Sequence, residues 1–190
     1  MIGIISSVIT TAAAIYLLTP LGRSSRVERP KFKVIDGKHV YEDLVIAKFP
    51  IENRDMDSAF QTLASYFGIG KIPHNNLNLK MQMTAPVLVE LDTVTHLPSH
   101  LLFILPEKFA DIRPTPLDKR VQLENWKAPN HFQVLSLPSC FDEMDMSSAQ
   151  LTLLVRNNFS NTSSRRIFIA RYDDPFVLEP LRTVEFWCKY

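Results

Sequence analysis

The chain carries two hydrophobic periods in separate stretches. Met56, Ala59, Phe60, Leu63, Ala64 and Phe67 fall at i, i+3, i+4, i+7, i+8 and i+11, one stripe at helical spacing. Asp55 or Asp57 can cap the start of that helix, and Gly68 with Gly70 ends it. From Lys80 the period becomes two. Met81, Met83, Ala85, Val87, Val89 and Leu91 share one face, and Lys80, Gln82, Thr84, Pro86, Leu88 and Glu90 the other. This predicts a strand with one buried face, interrupted, bulged or at an edge at Pro86, which has no N–H for a ladder. Residues 101–106 form the next strand, antiparallel to the first.

Upstream, residues 32–35 and 44–49 are β-like runs with the turn pair Asp36-Gly37 between them. The second half repeats the outline. Residues 120–124 and 131–135 are expected strands. A helix is expected from Ser147 or Ser148 to about Asn157, with Ala149, Leu153 and Leu154 inward, followed by strands at 166–172 and 182–187. The order ββαββ, twice, predicts antiparallel sheet with two helices laid on it, an α+β fold. Residue identity between the halves is weak, so the repeat is one of architecture.

The N-terminus reads differently. From Met1 to Gly22 no side chain is charged, although five Ser and Thr residues dilute the apolar run. About 20 helical residues span about 30 Å, the thickness of a bilayer's hydrocarbon core. No Lys or Arg precedes the run, and Tyr16, Leu17 and Leu18 stand where a signal-peptide cleavage site needs small residues. Arg23, Arg26, Arg29, Lys31 and Lys33 follow it. The division expected is therefore a membrane anchor over 1–20, a basic linker over 21–31 and a folded domain over 32–190. The positive-inside rule puts that domain on the cytoplasmic side. A cleaved signal segment with a lumenal or secreted domain is the alternative, in which Asn158-Phe-Ser160 and Asn161-Thr-Ser163 would match glycosylation acceptors.

Charge removes one function class. The net charge of +1, from 21 basic and 20 acidic residues, gives no excess for nucleic acid. The two cysteines, Cys140 and Cys188, make no disulfide framework and no zinc spacing. Phosphate-loop, dinucleotide, serine-hydrolase and metalloprotease motifs are absent, so the usual sequence grounds for proposing an enzyme are missing.

Several collinear segments resemble the SOUL family of haem-binding proteins. Lys80-Met-Gln-Met-Thr-Ala-Pro-Val87 resembles the family's M-T-A-P-V strand. Residues 59–68 are similar to its helix-to-glycine pattern, Phe103-Ile-Leu-Pro106 to its strand ending in proline, and residues 116–123 to its P-x-D-x-R-V segment. Ala170-Arg-Tyr-Asp-Asp-Pro-Phe176 and residues 181–187 resemble its C-terminal segments. Coverage runs from about 32 to 188. Two departures stand out. Of the family's E-I-R-x-Y start only Tyr41 is kept: the haem-ligating branch has histidine just before that tyrosine, where this chain has Val40, with His39 one residue earlier. The family's F-x-G is replaced by Ser136-Leu-Pro-Ser-Cys140. The resemblance implies a distorted antiparallel β-barrel of two pseudo-repeats, related in fold to bacterial effector-binding domains of the GyrI type. It also implies non-covalent binding of haem or another porphyrin against the first helix, in buffering, transport or sensing. An interaction or effector-binding module of the same fold without haem is the alternative function.

A porphyrin needs apolar side chains across its face and cations at the rim. The surface expected for it is Met56, Phe60, Leu63 and Phe67, facing Met81 and Met83, with Lys71, Lys80 or Arg171 as rim cations. His39 is the metal-ligand candidate, although one residue along a strand is the opposite face. Binding without any axial ligand is the competing expectation. His74, His96 and His100 read as loop residues, His131 as a turn residue, and Asp142-Glu-Met-Asp145 as a helix-capping acidic run.

Overall fold

A computed structural model describes residues 27–138, 140–159, 165–173 and 182–190. The anchor expected over 1–20, and the first part of the linker, lie outside them. No helix among the described residues is long and apolar enough to cross a membrane. The end of the linker is tied to the domain: the Glu28 carbonyl accepts from the Ala85 N–H, and its carboxylate accepts from the Glu107 N–H at 2.7 Å.

In chain order the elements are β1 (Phe32–Ile35), β2 (Lys38–Tyr41), β3 (Leu44–Pro50), α1 (Met56–Phe67), β4 (Val87–Leu91) and β5 (Pro98–Ile104). Then follow β6 (Gln122–Trp126), β7 (Asn130–Leu137), α2 (Ser148–Asn158), β8 (Ile167–Arg171) and β9 (Val184–Lys189). The expected α+β architecture is present. Among the described residues nine strands form one antiparallel sheet in the order β1-β2-β7-β9-β8-β4-β5-β3-β6. Exchanging the two ββαββ halves maps β2-β7-β9-β8 onto β6-β3-β5-β4, so each half lends its first strand to the other half's ladder. Among the described residues the ladder is open, with β1 and β6 as its two edges.

It does curl. Trp126 on β6 and Phe132 on β7 stand far apart in the ladder order, yet their rings are 5.8 Å apart. Phe132 also meets Trp187 at 5.1 Å, and Trp126 meets Phe168 at 5.2 Å. These rings, with Tyr41, Ile46, Leu88 and Leu102, form an inner core on the concave face. The other face carries a second core under α1 and α2, built from Val45, Phe49, Val89, Leu101, Phe103, Ile169 and Phe186. β4 is therefore buried on both faces: Leu88 and Glu90 are hidden along with Val89 and Leu91. One-sided burial, expected from the alternation, fails because the curl covers the second face.

Three further expectations change. Residues 80–86 are not a strand; their alternation is that of a segment packed along the core, with Met81 and Ala85 buried and the Thr84 hydroxyl donating to the Ile104 carbonyl at 2.5 Å. β2, mixed in polarity, was not apparent from pattern, and becomes a strand by pairing with β1 and β7. The turn joining it to β1 uses Asp36 and Gly37 at φ of 50° and 71°, the backbone a tight hairpin requires. In α2, started by a Ser147–Gln150 capping box, the buried stripe is Leu151 and Val155; Ala149 and Leu153 are exposed and Leu154 is half-buried. A short helix with few apolar residues admits two phases, and the sequence does not choose between them.

Candidate ligand groove

α1 starts where the Asp55 carboxylate accepts from the Ser58 N–H at 2.9 Å, and stops at Gly68 in the left-handed region, φ 76°. A Cβ there would lie 2.6 Å from the Pro73 ring, so glycine is needed for both conformation and space. The helix divides along its length. Toward its C-terminal end Leu63 and Phe67 are fully buried, Phe67 edge-on to Phe103 at 5.4 Å. Toward its N-terminal end Met56 and Phe60 are only half-buried and line a groove of about 520 Å³. The floor adds Val87 and Val89 of β4, Leu101 of β5 and Val184 of β9. That volume falls in the range of about 300–1,000 Å³ that small-molecule sites occupy.

The rim is charged. Asp57 of α1, Asp142 and Glu143 from the segment before α2, and Asp173 supply carboxylates; Arg171 of β8 and Arg182 supply guanidiniums. Arg171 grips Glu143 with two nitrogens: Nε donates to Oε1 at 3.3 Å and Nη2 donates to Oε2. Nη2 also donates to the Phe141 carbonyl at 3.3 Å and lies 3.6 Å from Asp142. The Glu143 side chain is 1% exposed and that of Arg171 28%, so the carboxylate is almost out of water while the guanidinium is partly exposed.

Of the residues read from sequence as a porphyrin surface, Met56, Phe60 and Arg171 come together here. Leu63, Phe67 and Met81 are spent inside the core, and Met83 packs against it without lining the groove. Lys80 and Lys71 are exposed, away from the lining. His39 is not among the groove's lining residues. It pairs with Phe132 across β2 and β7, on the concave side, and stacks on Phe32 at 4.1 Å. Its Nδ1 is buried without a hydrogen-bond partner. His100, on β5 rather than in a loop, sits 3.7 Å from Glu90 on that same concave face, its pKa lowered by burial and then by Lys48. His96 is buried, not solvated: its Nδ1 lies 3.0 Å from the Thr152 hydroxyl, and burial lowers its pKa. Cys188 is a buried free thiol and Cys140 an exposed one. Among the described residues no cluster of three or more His, Cys, Asp or Glu could hold a metal ion.

A family model described as SOUL heme-binding protein matches residues 27–189. The chain belongs to that family. No curated protein matches the chain. The groove's apolar lining is Met56, Phe60, Val87, Val89, Leu101, Met144 and Val184. Among the described lining residues there is no histidine, tyrosine or cysteine; the soft donors are the thioethers of Met56 and Met144. Tyr41, the one residue kept from the family's N-terminal motif, has a packing role. It is 2% exposed and lies against Trp187 at 5.1 Å and Phe132 at 5.6 Å.

The residues that sequence reasoning missed are mostly on the far side of the groove. Val184 and Leu101 read as strand residues without a face. Glu143 sits inside a run that looks like a solvated cap; its burial depends on Arg171, 28 residues further on, and no local pattern encodes that pairing.

Proposed function

We propose that this SOUL domain binds haem or a related tetrapyrrole non-covalently in the groove at the N-terminal half of α1, as a carrier, buffer or sensor. The observation that supports this most is the split of the helix stripe: its C-terminal part is consumed by the core, while Met56 and Phe60 open onto an apolar floor about 520 Å³ in volume. Burial of the ring face supplies the binding energy, at about 25 cal/mol per Å² of apolar surface removed from water. Within this reading residues 1–20 tether the domain to a membrane, with the domain on the cytoplasmic side. Protease protection in sealed vesicles checks that placement.

An absorption titration of the purified chain with hemin tests the reading. A saturable Soret shift is expected. Met56→Glu, which puts a charge on the floor at a half-exposed position, should weaken binding at least tenfold, and His39→Ala should leave both the spectrum and the affinity unchanged. A linear, unsaturable response, or loss of the shift on removing His39 alone, refutes the placement. A domain that takes up no tetrapyrrole would serve instead as an interaction module, for which the largely acidic rim suits a cationic partner.

A further inference from the structure

Among the described residues the groove's rim has four carboxylates against two guanidiniums, an unexpected balance for a ligand that brings carboxylates of its own. The balance has a local centre. A guanidinium is a planar fork matched to one carboxylate, and at Arg171 the Nε and Nη2 prongs are taken by the two oxygens of Glu143, a residue of the same chain. The pair is held from behind by the Phe141 carbonyl at 3.3 Å, with Asp142 at 3.6 Å adding a second negative charge. A ligand carboxylate reaching Arg171 either displaces Glu143 or shares the guanidinium with two acids. Displacement strands a nearly water-free carboxylate unless the 141–144 segment moves with it, and an unpaired buried charge is strongly unfavourable. Sharing sets like charges side by side.

We propose that Glu143 occupies the anion position of Arg171 and so selects against ligand carboxylates at that end of the groove. A macrocycle bearing carboxylates then lies with them toward the open side, and neutral or esterified macrocycles bind better. The inference rests on the groove reading above and names the residue that sets its specificity.

Parallel absorption titrations of the full chain with hemin and with hemin dimethyl ester, which lacks free carboxylates, test it. The wild type should bind the ester about tenfold more tightly, as a like-charge contact on one ligand alone implies. Glu143→Gln keeps the size and an amide oxygen for Arg171 but removes the charge; it should tighten hemin about tenfold and leave the ester unchanged. Circular dichroism reports whether that variant folds. Asp142→Asn, at a half-exposed position, should narrow the gap in the same direction by a smaller factor and covers the case in which it does not. Equal affinities of the wild type for both probes, or a gap that neither substitution moves, overturns the role of Glu143 while the groove stands. Failure of both probes to bind the wild type removes the groove reading itself.

Discussion

Glu124 offers the sharpest test of the concave face, because its environment sets two opposing effects against each other. Burial would raise its pKa. Hydrogen bonds from the Trp126 indole and Arg166 Nη1, each 2.9 Å, and the charges of Arg166 and of Lys48 at 3.4 Å outweigh it. The carboxyl is held down at about 2, against an ordinary value of 4.5. At about 1.4 kcal/mol for each tenfold change in proton affinity, that difference has a ceiling of about 3 kcal/mol. The side chain is 28% exposed, and solvent screening reduces the figure to about 1–2 kcal/mol. The folded pKa lies below the unfolded one, so this stability is fully present above pH 4.5 and is lost as pH falls toward 2. Urea unfolding of the wild type and Glu124→Gln at several pH values measures it. The variant should be less stable near neutrality, and the two curves should converge by about 1–2 kcal/mol between pH 5 and 2. Parallel curves across that window would mean that Glu124 is not paired as described.

Three other substitutions are expected to behave as follows. Burial, then the charge of Arg166, brings Lys189 down to about 8 while its ammonium rests 4.0 Å over the Trp126 ring. The unfolded chain therefore holds more protons between pH 8 and 10.5, stability rises across that window, and Lys189→Met should flatten the rise in denaturant titrations. Leu63→Ala should cost about 2–5 kcal/mol, as deletion of a fully buried leucine does, whereas Leu153→Ala, 61% exposed, should stay within about 0.5 kcal/mol; the reverse ranking in thermal denaturation would mean that α1 and α2 bury other faces.

What was legible in the sequence is what local periodicity and terminal residues encode. The Met56–Phe67 helix was readable from its stripe and its glycine stop, with the cap left between Asp55 and Asp57 until the structure chose Asp55. The ββαββ repeat was readable in outline from short runs between turn residues, although by pattern residues 32–35 (β1) take the place that β2 holds in the repeat. The curl was not, and it accounts for most of the failures: Leu88 and Glu90 look solvent-facing on a flat sheet and become buried when β6 and β7 approach across the concave side. For the groove, the helix half was visible in Met56 and Phe60. Of its other wall only Arg171 was visible, because Glu143 and Val184 are brought to it from separate parts of the chain by tertiary pairing alone.

The curl also bears on the question that the SOUL resemblance left open at the start of β2. Tyr41 and His39 share the concave face, which is filled with aromatic rings and with the paired charges of Lys48, Glu90, Glu124 and Arg166. Val40 pairs with His131 on the opposite side, in line with Gln133 and Leu135, which pair with Cys188 and Phe186 of the helix-side core. A histidine at position 40, as in the ligating branch, would thus stand on the same side of the sheet as the groove, whereas moving it one residue back turns it to the closed side. That single-residue displacement takes this imidazole off the groove's side of the sheet; His131 stays on that side but is not among the described lining residues, so in the proposed reading burial, with any thioether, holds the ring. A tetrapyrrole bound by this chain should accordingly show a spectrum without the signature of histidine ligation, in wild type and His39→Ala alike.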